Sequence, residues 1–528
     1  MSPYFQKDNF YYFLILIAAG TLCFFNLGGH PIYILDEAKN AEAAREMWAN
    51  NNWIVPTFNG ELRTDKPVLH YWFMMLAYKI FGISAFSARF FSAIFGVLTI
   101  LASFHFTKKF INRKVAGITA FVLCSAIFFV QEFHLAVPDP YLIFFVSFGL
   151  FNFYDYYKNG KKSNGLIFYI SLGLGTLAKG PVALVLPGLI IFLFLWLKKD
   201  FKLKTILRLN PFLGLILTLL IVLPWFYWVH KATDGAFTQG FFFEHNLQRF
   251  SAEKEGHGGL PIVTWAFVIL GLLPYSFFVV QGFIQGWKKR YTHDFLLFSF
   301  LISIVIIGFF SISLTKLPNY PMPAYPFLAV LISYYLVGII EKKFALKAYK
   351  ISLWIWLAVS FLLPIGGYVA LVYAEPHLYS VRYLSILLAI LPVGAVCALY
   401  YLKRNKILES VIVLGMSSMF LSLELFQSIY PKLVAQSPLV LAKDVMDKDS
   451  KVILYKGYDP AFLFNFERNF PFAETTEEVI SFLRENPQGM VITKEKFYDS
   501  DWKEIPSEIL LKQKALFENY TIVIFRLK

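Results

Sequence analysis

Cysteine is nearly absent from this chain, with three in 528 residues. Cys23, Cys124 and Cys397 all fall in apolar runs, and none belongs to a CxxC or Cys/His pattern. That argues against a disulfide scaffold and against a structural metal. Charge is sparse as well: Asp, Glu, Lys and Arg make up 16% of the residues, too little for the surface of a water-soluble protein. There is no Gly-rich phosphate loop and no internal repeat. The first apolar run lacks a small-residue cleavage site, and Gly20-Thr21-Leu22-Cys23 is a poor lipobox, so this run reads as a retained membrane span.

What fills the chain instead is apolar. Hydrophobic residues reach 57% and aromatic ones 19%, with a mean hydropathy of +0.56. Repeated apolar runs of about 20 residues predict an all-α polytopic membrane domain. Thirteen such runs can be delimited, from 10–28 to 407–429. The fifth and sixth, 164–178 and 181–197, are separated only by Ala178-Lys179-Gly180-Pro181. The last stretch differs in kind. Val452-Ile453-Leu454-Tyr455, a capping box Thr475…Glu478, Met490-Val491-Ile492 and Ile522-Val523-Ile524-Phe525 predict a small α/β domain over 433–528, after a membrane domain over 1–432.

The net charge of +14 points to orientation rather than to nucleic acid. Lys108, Lys109, Arg113 and Lys114 share one short loop. Lys158, Lys161 and Lys162, then Lys198, Lys199, Lys202 and Lys204, fill two more. Lys288, Lys289 and Arg290, Lys342, Lys343 and Lys347, and Lys403, Arg404 and Lys406 complete the set. With thirteen spans all these loops lie on one side, which is then cytoplasmic. The N-terminus is expected inside, and the C-terminal domain outside with loops 29–83, 134–138, 178–181, 230–260, 313–321 and 374–378. Within 29–83, the segments Glu37 to Asn50 and Lys66 to Phe81 have the spacing of interfacial amphipathic helices.

The polar signals cluster on that outer side. Asp36 and Glu37 end the first span, and Asp139 opens the fourth between Pro138 and Pro140. Both aspartates also suit the first turn of a helix. Carboxylates at span mouths are costly, and two on one membrane face predict a two-carboxylate active site. Arg63, Lys66, Lys179, Arg249 and Lys316 lie on the same face, against the general charge trend. Each alone fits a snorkelling side chain; as a set they suit an anionic substrate such as a lipid-linked phosphate. Glu244 and His245 are weak candidates for a divalent metal, since one adjacent pair does not complete a site. No cofactor is otherwise indicated.

In these stretches the chain resembles the GT-C membrane glycosyltransferases that use polyprenyl-phosphate sugars. It is most similar to the lipid A aminoarabinose transferases, distant relatives of the protein O-mannosyltransferases. The matching residues are Asp36-Glu37-Ala38 through Arg45-Glu46-Met47, Trp53-Ile54-Val55-Pro56, Asp65-Lys66-Pro67, Asp139 and Ala178-Lys179-Gly180. Glu244-His245…Gln248-Arg249-Phe250 and Ser313…Lys316-Leu317-Pro318-Asn319-Tyr320 continue the series in order. The resemblance implies that Asp36 is the principal catalytic acid and Asp139 its partner. Lys66, Lys179 and Arg249 would hold a donor or acceptor phosphate, and Tyr320 would line the cavity. Glu37, Arg63, His245 and Lys316 complete the expected binding set. One departure is an extra residue where the family commonly reads Glu-His-Ile-Gln-Arg. It rotates His245 against Arg249 by about 100° on a helix.

The implied partners are a polyprenyl-phosphate-sugar donor, the membrane lipids and an envelope acceptor such as lipid A, with no nucleic acid. The implied location is the inner membrane. Protein O-glycosyl transfer fits the same frame. A lipid or polysaccharide transporter would call for internal repeats and mid-bilayer charges, which the chain does not show.

Overall fold

The computed structural model describes residues 3–247 and 258–528, with side chains from residue 9 to 245 and from 258 onward. The chain folds as a helical membrane bundle carrying a small C-terminal sheet domain. A helix or broken helix lies at each of the thirteen apolar runs. Among the described residues, seven are long and apolar enough on their own to cross a membrane, from Ala85–Phe110 to Ile407–Val434. An eighth is the pair Ile262–Gly271 and Tyr275–Lys288, bent by 116°. The sequence reading made this one continuous span, 261–286. Pro274 sits at the break, where a helix interior does not tolerate it. The other described helices at these runs are shorter or more polar than that.

Local chemistry sets the helix ends. Ser84 and Ser87 form a reciprocal capping box that starts Ala85–Phe110, and Asn112 caps Arg113–Ser125 through Val115 N–H. Gly160, with φ of 70°, ends Asp139–Asn159 in the left-handed region that glycine tolerates. Helices Lys162–Lys179 and Val182–Leu197 are separate, joined through Gly180 (φ 104°) and Pro181. This tight reversal places Lys179 at the mouth of the bundle.

Ion pairs gather the basic loops at one end. Lys109 pairs with Asp155, and Lys114 with Glu341 at 2.6 Å. Asp294 accepts from Lys158 at 3.4 Å and from Lys198 at 2.6 Å. Sequence segments hundreds of residues apart therefore meet at one pole, as the charge pattern requires.

The C-terminal region forms a five-stranded sheet. Its strands, β3 to β7 after the outer-loop pair β1 (Thr57–Phe58) and β2 (Glu61–Leu62), are Val452–Tyr455, Phe472–Ala473, Met490–Lys494, Ser507–Lys514 and Thr521–Leu527. Their order is β4-β3-β5-β7-β6, with β3 parallel to its neighbours and β7 antiparallel to its own. The expected Thr475–Glu478 capping box is present at the start of Thr476–Glu485.

Two helices flank the β1–β2 hairpin in sequence. Helix Leu69–Phe81 buries Tyr71, Met74 and Tyr78 and exposes Leu76, Ile80 and Phe81, as an interfacial helix does. Helix Leu35–Ala49 departs from the expectation of a surface-lying helix, because its charged face is covered. Glu42, Arg45 and Glu46 are buried; Arg45 holds Glu42 at 2.6 Å and Asn469 at 2.9 Å. Helical periodicity shows that a face is polar, and not that a distant segment folds over it.

Candidate active site

At the pole opposite the basic loops, a cavity of about 360 Å³ opens between the outer loops and the helix ends. Asp65, Lys66, Asp139, Lys179, His245 and Tyr320 form its polar part, and the remaining wall is apolar, including Leu142, Val182, Val185, Phe241 and Phe310. Five of the expected residues thus meet in one place: Lys66, Asp139, Lys179, His245 and Tyr320. Lys179 pairs directly with Asp139, and its ammonium lies 5.1 Å from the centre of the Tyr320 ring, within cation–π range. Tyr320 packs on Phe310 with ring centres 4.8 Å apart.

Both aspartates sit in first helical turns, yet neither side chain caps its helix. Asp139 is the first residue of its helix, after Pro138, and its carboxylate is taken by Lys179. Asp36 is the second residue of Leu35–Ala49 and is exposed. It stands outside the cavity lining, within electrostatic reach of Arg63, Tyr71 and Glu132.

The remaining expected binders take other places. Glu37 is fully buried and turned away from the cavity. Arg89 grips it with two bonds, at 2.7 and 2.9 Å, and Ala136 N–H donates to it at 3.0 Å. Arg89 also donates to the carbonyls of Leu27 and His30, so this one pair ties the 27–37 segment to loop 134–138. Arg63 is buried behind the cavity wall, donating to Tyr71 Oη at 3.1 Å and Asn40 Oδ1 at 3.2 Å and pairing with Asp65 at 3.2 Å. Lys316 is buried and donates to the carbonyls of Ser311 and Ser313 at the end of helix Asp294–Ile312, where a cation opposes the helix dipole. Arg249 lies outside the described residues, so its rotation against His245 does too.

Asp65 anchors the polar rim. His245 Nε2 lies 3.0 Å from its Oδ1. Burial opposes its charge, but the His245 hydrogen bond and the Arg63 and Lys66 charges prevail and hold its carboxyl well below the usual carboxylate range. His70, fully buried, is pushed well below the usual histidine range by that burial and by the Arg63 and Lys66 charges. Glu244 is exposed beside His245 on the π-helical turn Gly240–Leu247. Among the described residues, no three His, Cys, Asp or Glu side chains gather as a metal site.

The comparisons with known proteins fit this geometry. The family model for dolichyl-phosphate-mannose-protein mannosyltransferases matches residues 65–228. A protein of Aquifex aeolicus (strain VF5) is 31% identical over 66% of this chain and 78% of its own length. The undecaprenyl phosphate-alpha-4-amino-4-deoxy-L-arabinose arabinosyl transferase of Aeromonas hydrophila is 28% identical over 62% of this chain, which spans 60% of that relative's length. The crystal structure of ArnT from Cupriavidus metallidurans bound to undecaprenyl phosphate superposes with a TM-score of 0.80 at 20% identity, covering 97% of both chains.

By fold the chain is a GT-C membrane protein.

Within this GT-C frame, the sequence reading missed Glu132. It is 6% exposed at the end of helix Ile127–Glu132, within electrostatic reach of Asp139, Lys179 and Asp36, and its Oε1 has no partner. The signal was available: a glutamate closing an apolar run, seven residues before Asp139, is as costly as Asp139 itself. Asp65 carries no such signal, because an aspartate in a polar loop is not costly.

Proposed function

We propose that this chain moves a sugar from a polyprenyl phosphate, of the undecaprenyl type, to an extracytoplasmic acceptor. The favoured acceptor is a lipid A phosphate and the favoured sugar aminoarabinose or a close relative. The observation that carries this reading is the divided cavity, with cations and carboxylates at one end and an apolar wall beside them. Such a site suits a ligand that is part phosphate-sugar and part hydrocarbon. The named arabinosyl transferase relatives support the sugar and donor class. Protein O-glycosylation is the second reading, supported by the mannosyltransferase family model.

In the proposed reaction the bond between the anomeric carbon and the phosphate oxygen breaks, and the phosphate leaves with the bonding pair. Lys66 and Lys179 stand where they can offset that growing negative charge in a partly dry cleft. An acceptor oxygen attacks the opposite face and forms the new glycosidic bond, which inverts the anomeric carbon. A hydroxyl acceptor would yield its proton to a carboxylate, Asp36 or Asp139. A phosphate acceptor needs no strong base, and the carboxylates would then orient it and balance positive charge on the sugar. Asp36 and Asp139 are the proposed catalytic pair, and His245 and Tyr320 shape the donor pocket. A divalent metal is no part of this scheme.

For the topology, the proposed cytoplasmic face is the pole of the basic loops. The cavity and the 433–528 domain then face the periplasm, and the protein resides in the inner membrane. Asp36→Asn is expected to abolish transfer of labelled sugar from a synthetic polyprenyl-phosphate donor in detergent, while expression and membrane insertion stay normal. An active Asn variant would overturn the role of Asp36. A product that keeps the donor's anomeric configuration would overturn the single-displacement scheme.

A further inference from the structure

A second opening lies away from the reacting groups, between the β1–β2 hairpin and the C-terminal sheet. It encloses about 620 Å³. Phe58, Tyr458, Phe470 and Phe472 supply aromatic surface, Lys456 and Lys494 supply cationic groups, and Glu61 is the one carboxylate in its lining. An adjoining opening of about 300 Å³ shares Lys494 and adds Lys496 and Lys514. Lys494 is therefore the partition between the two.

The frame is fixed. Asn59 donates to Phe470 O at 3.1 Å and accepts from Phe470 N–H at 3.0 Å, locking the hairpin onto the sheet domain. Lys494 closes strand β5, which is paired on both sides. The edge of this site is thus carried by regular structure rather than by a loop.

The charges around it are unevenly matched. Lys456, Lys512 and Lys514 are each neutralised by a carboxylate within 2.7 Å. Among the described residues, Lys494, Lys496 and Lys39 have no carboxylate within ion-pair distance. Lys494 is half-buried with its ammonium 3.8 Å from the Tyr520 ring centre. Its pKa lies below the usual lysine value because of burial and the Lys496 and Lys39 charges, with only Glu518 and Asp459 opposing them. Asp459 is itself buried, and its carboxyl is pushed up to about 6 by that burial. Lys494 and Lys496 line adjoining walls without a carboxylate in ion-pair contact, which favours an anion there. Aromatic faces beside them favour a flat, partly apolar ligand over a bare ion. Lys39 belongs to helix Leu35–Ala49, one turn after Asp36.

We propose that this groove binds an anionic saccharide, a phosphorylated sugar of the acceptor, and holds it while another part of the same acceptor reaches Asp36. The proposal rests on the reading that the chain transfers sugar to an extracytoplasmic acceptor. It assigns the C-terminal domain a share of acceptor recognition.

The test is calorimetric titration of the full-length chain in detergent, without donor, using a bis-phosphorylated glucosamine disaccharide. The neutral disaccharide and inorganic phosphate are titrated in parallel. The expected result is binding of the phosphorylated disaccharide that weakens with salt, falls about tenfold or more in Lys494→Glu, and is kept in Lys494→Arg. Unshifted thermal unfolding would show that Lys494→Glu is folded. Equal binding of the neutral sugar or of inorganic phosphate would overturn the proposal, as would wild-type affinity in Lys494→Glu combined with Lys496→Glu. Because no donor is present, a chain that binds this probe but transfers no sugar would overturn the activity and leave the groove standing.

Discussion

Lys179 is shared among more acids than it can neutralise. It pairs with Asp139 and lies within reach of Glu132, whose Oε1 has no partner. A donor phosphate entering the cavity would draw Lys179 toward itself, and Glu132 would help keep the ammonium at the mouth. Glu132→Gln is expected to lower kcat by about 10²-fold with little change in the KM for donor, as a positioning role requires; steady-state kinetics with a synthetic donor would check this. A second residue-level consequence concerns pH. His30 is lowered to about 2 by burial and the Arg89 charge, and His70 is lowered by burial and the Arg63 and Lys66 charges. Both are neutral when folded and take up protons readily when unfolded, so their stability contribution is complete above about pH 6.5 and is lost as pH falls below it. The thermal midpoint should therefore drop on acidification from pH 7 to 5. The drop should be smaller in His30→Asn combined with His70→Gln, measured in one detergent. Asp65 shifts in the same sense, but its window opens only below the ordinary carboxylate pKa.

At the level of elements, the Glu37–Arg89 pair is the fastening between the first outer segment and the fourth span's entry loop. Both side chains are 0% exposed. Leaving either charge alone costs about 3–5 kcal/mol. Arg89→Met is expected to lower folded yield and thermal midpoint sharply, and Glu37→Gln added to it should recover much of that loss. A double-mutant cycle on thermal unfolding would measure the coupling. This pair also shows where sequence reading stops. Glu37 adjoins Asp36, so both looked like mouth-lying acids; only the helical rotation of about 100° between neighbours, together with Arg89 on a distant helix, separates one role from the other. The cavity residues Lys66, Asp139 and Lys179 were legible because each is a charge at the end of an apolar run. The strand Ser507–Lys514 was not, since its alternation of Lys and Gln with Leu and Ile carries little apolar weight. The break at Leu272–Pro274 was hidden by continuous hydrophobicity on both sides.

At the scale of the whole molecule, the outer loop and the sheet domain form one unit. Arg45 meets Asn469, Asn465 donates to Ile32 O at 2.7 Å, and Asn59 and Phe470 exchange two bonds. Asn59→Ala should loosen the hairpin without unfolding the bundle. Limited proteolysis is expected to cut near residues 57–62 faster than in the native chain, while the membrane fragments persist. That staple also has a history in time. Asn59 leaves the ribosome 411 residues before its partner, a delay of roughly 20–80 s at ordinary elongation rates. Throughout that interval helix Leu35–Ala49 lacks its cover, and its buried acids face water. Every residue lining the cavity lies between Asp65 and Tyr320, so the cavity can form in a nascent chain before the domain that covers this helix exists. Synthesis of the final segment would then act as a clock, setting when Arg45 and the acids beside it leave water.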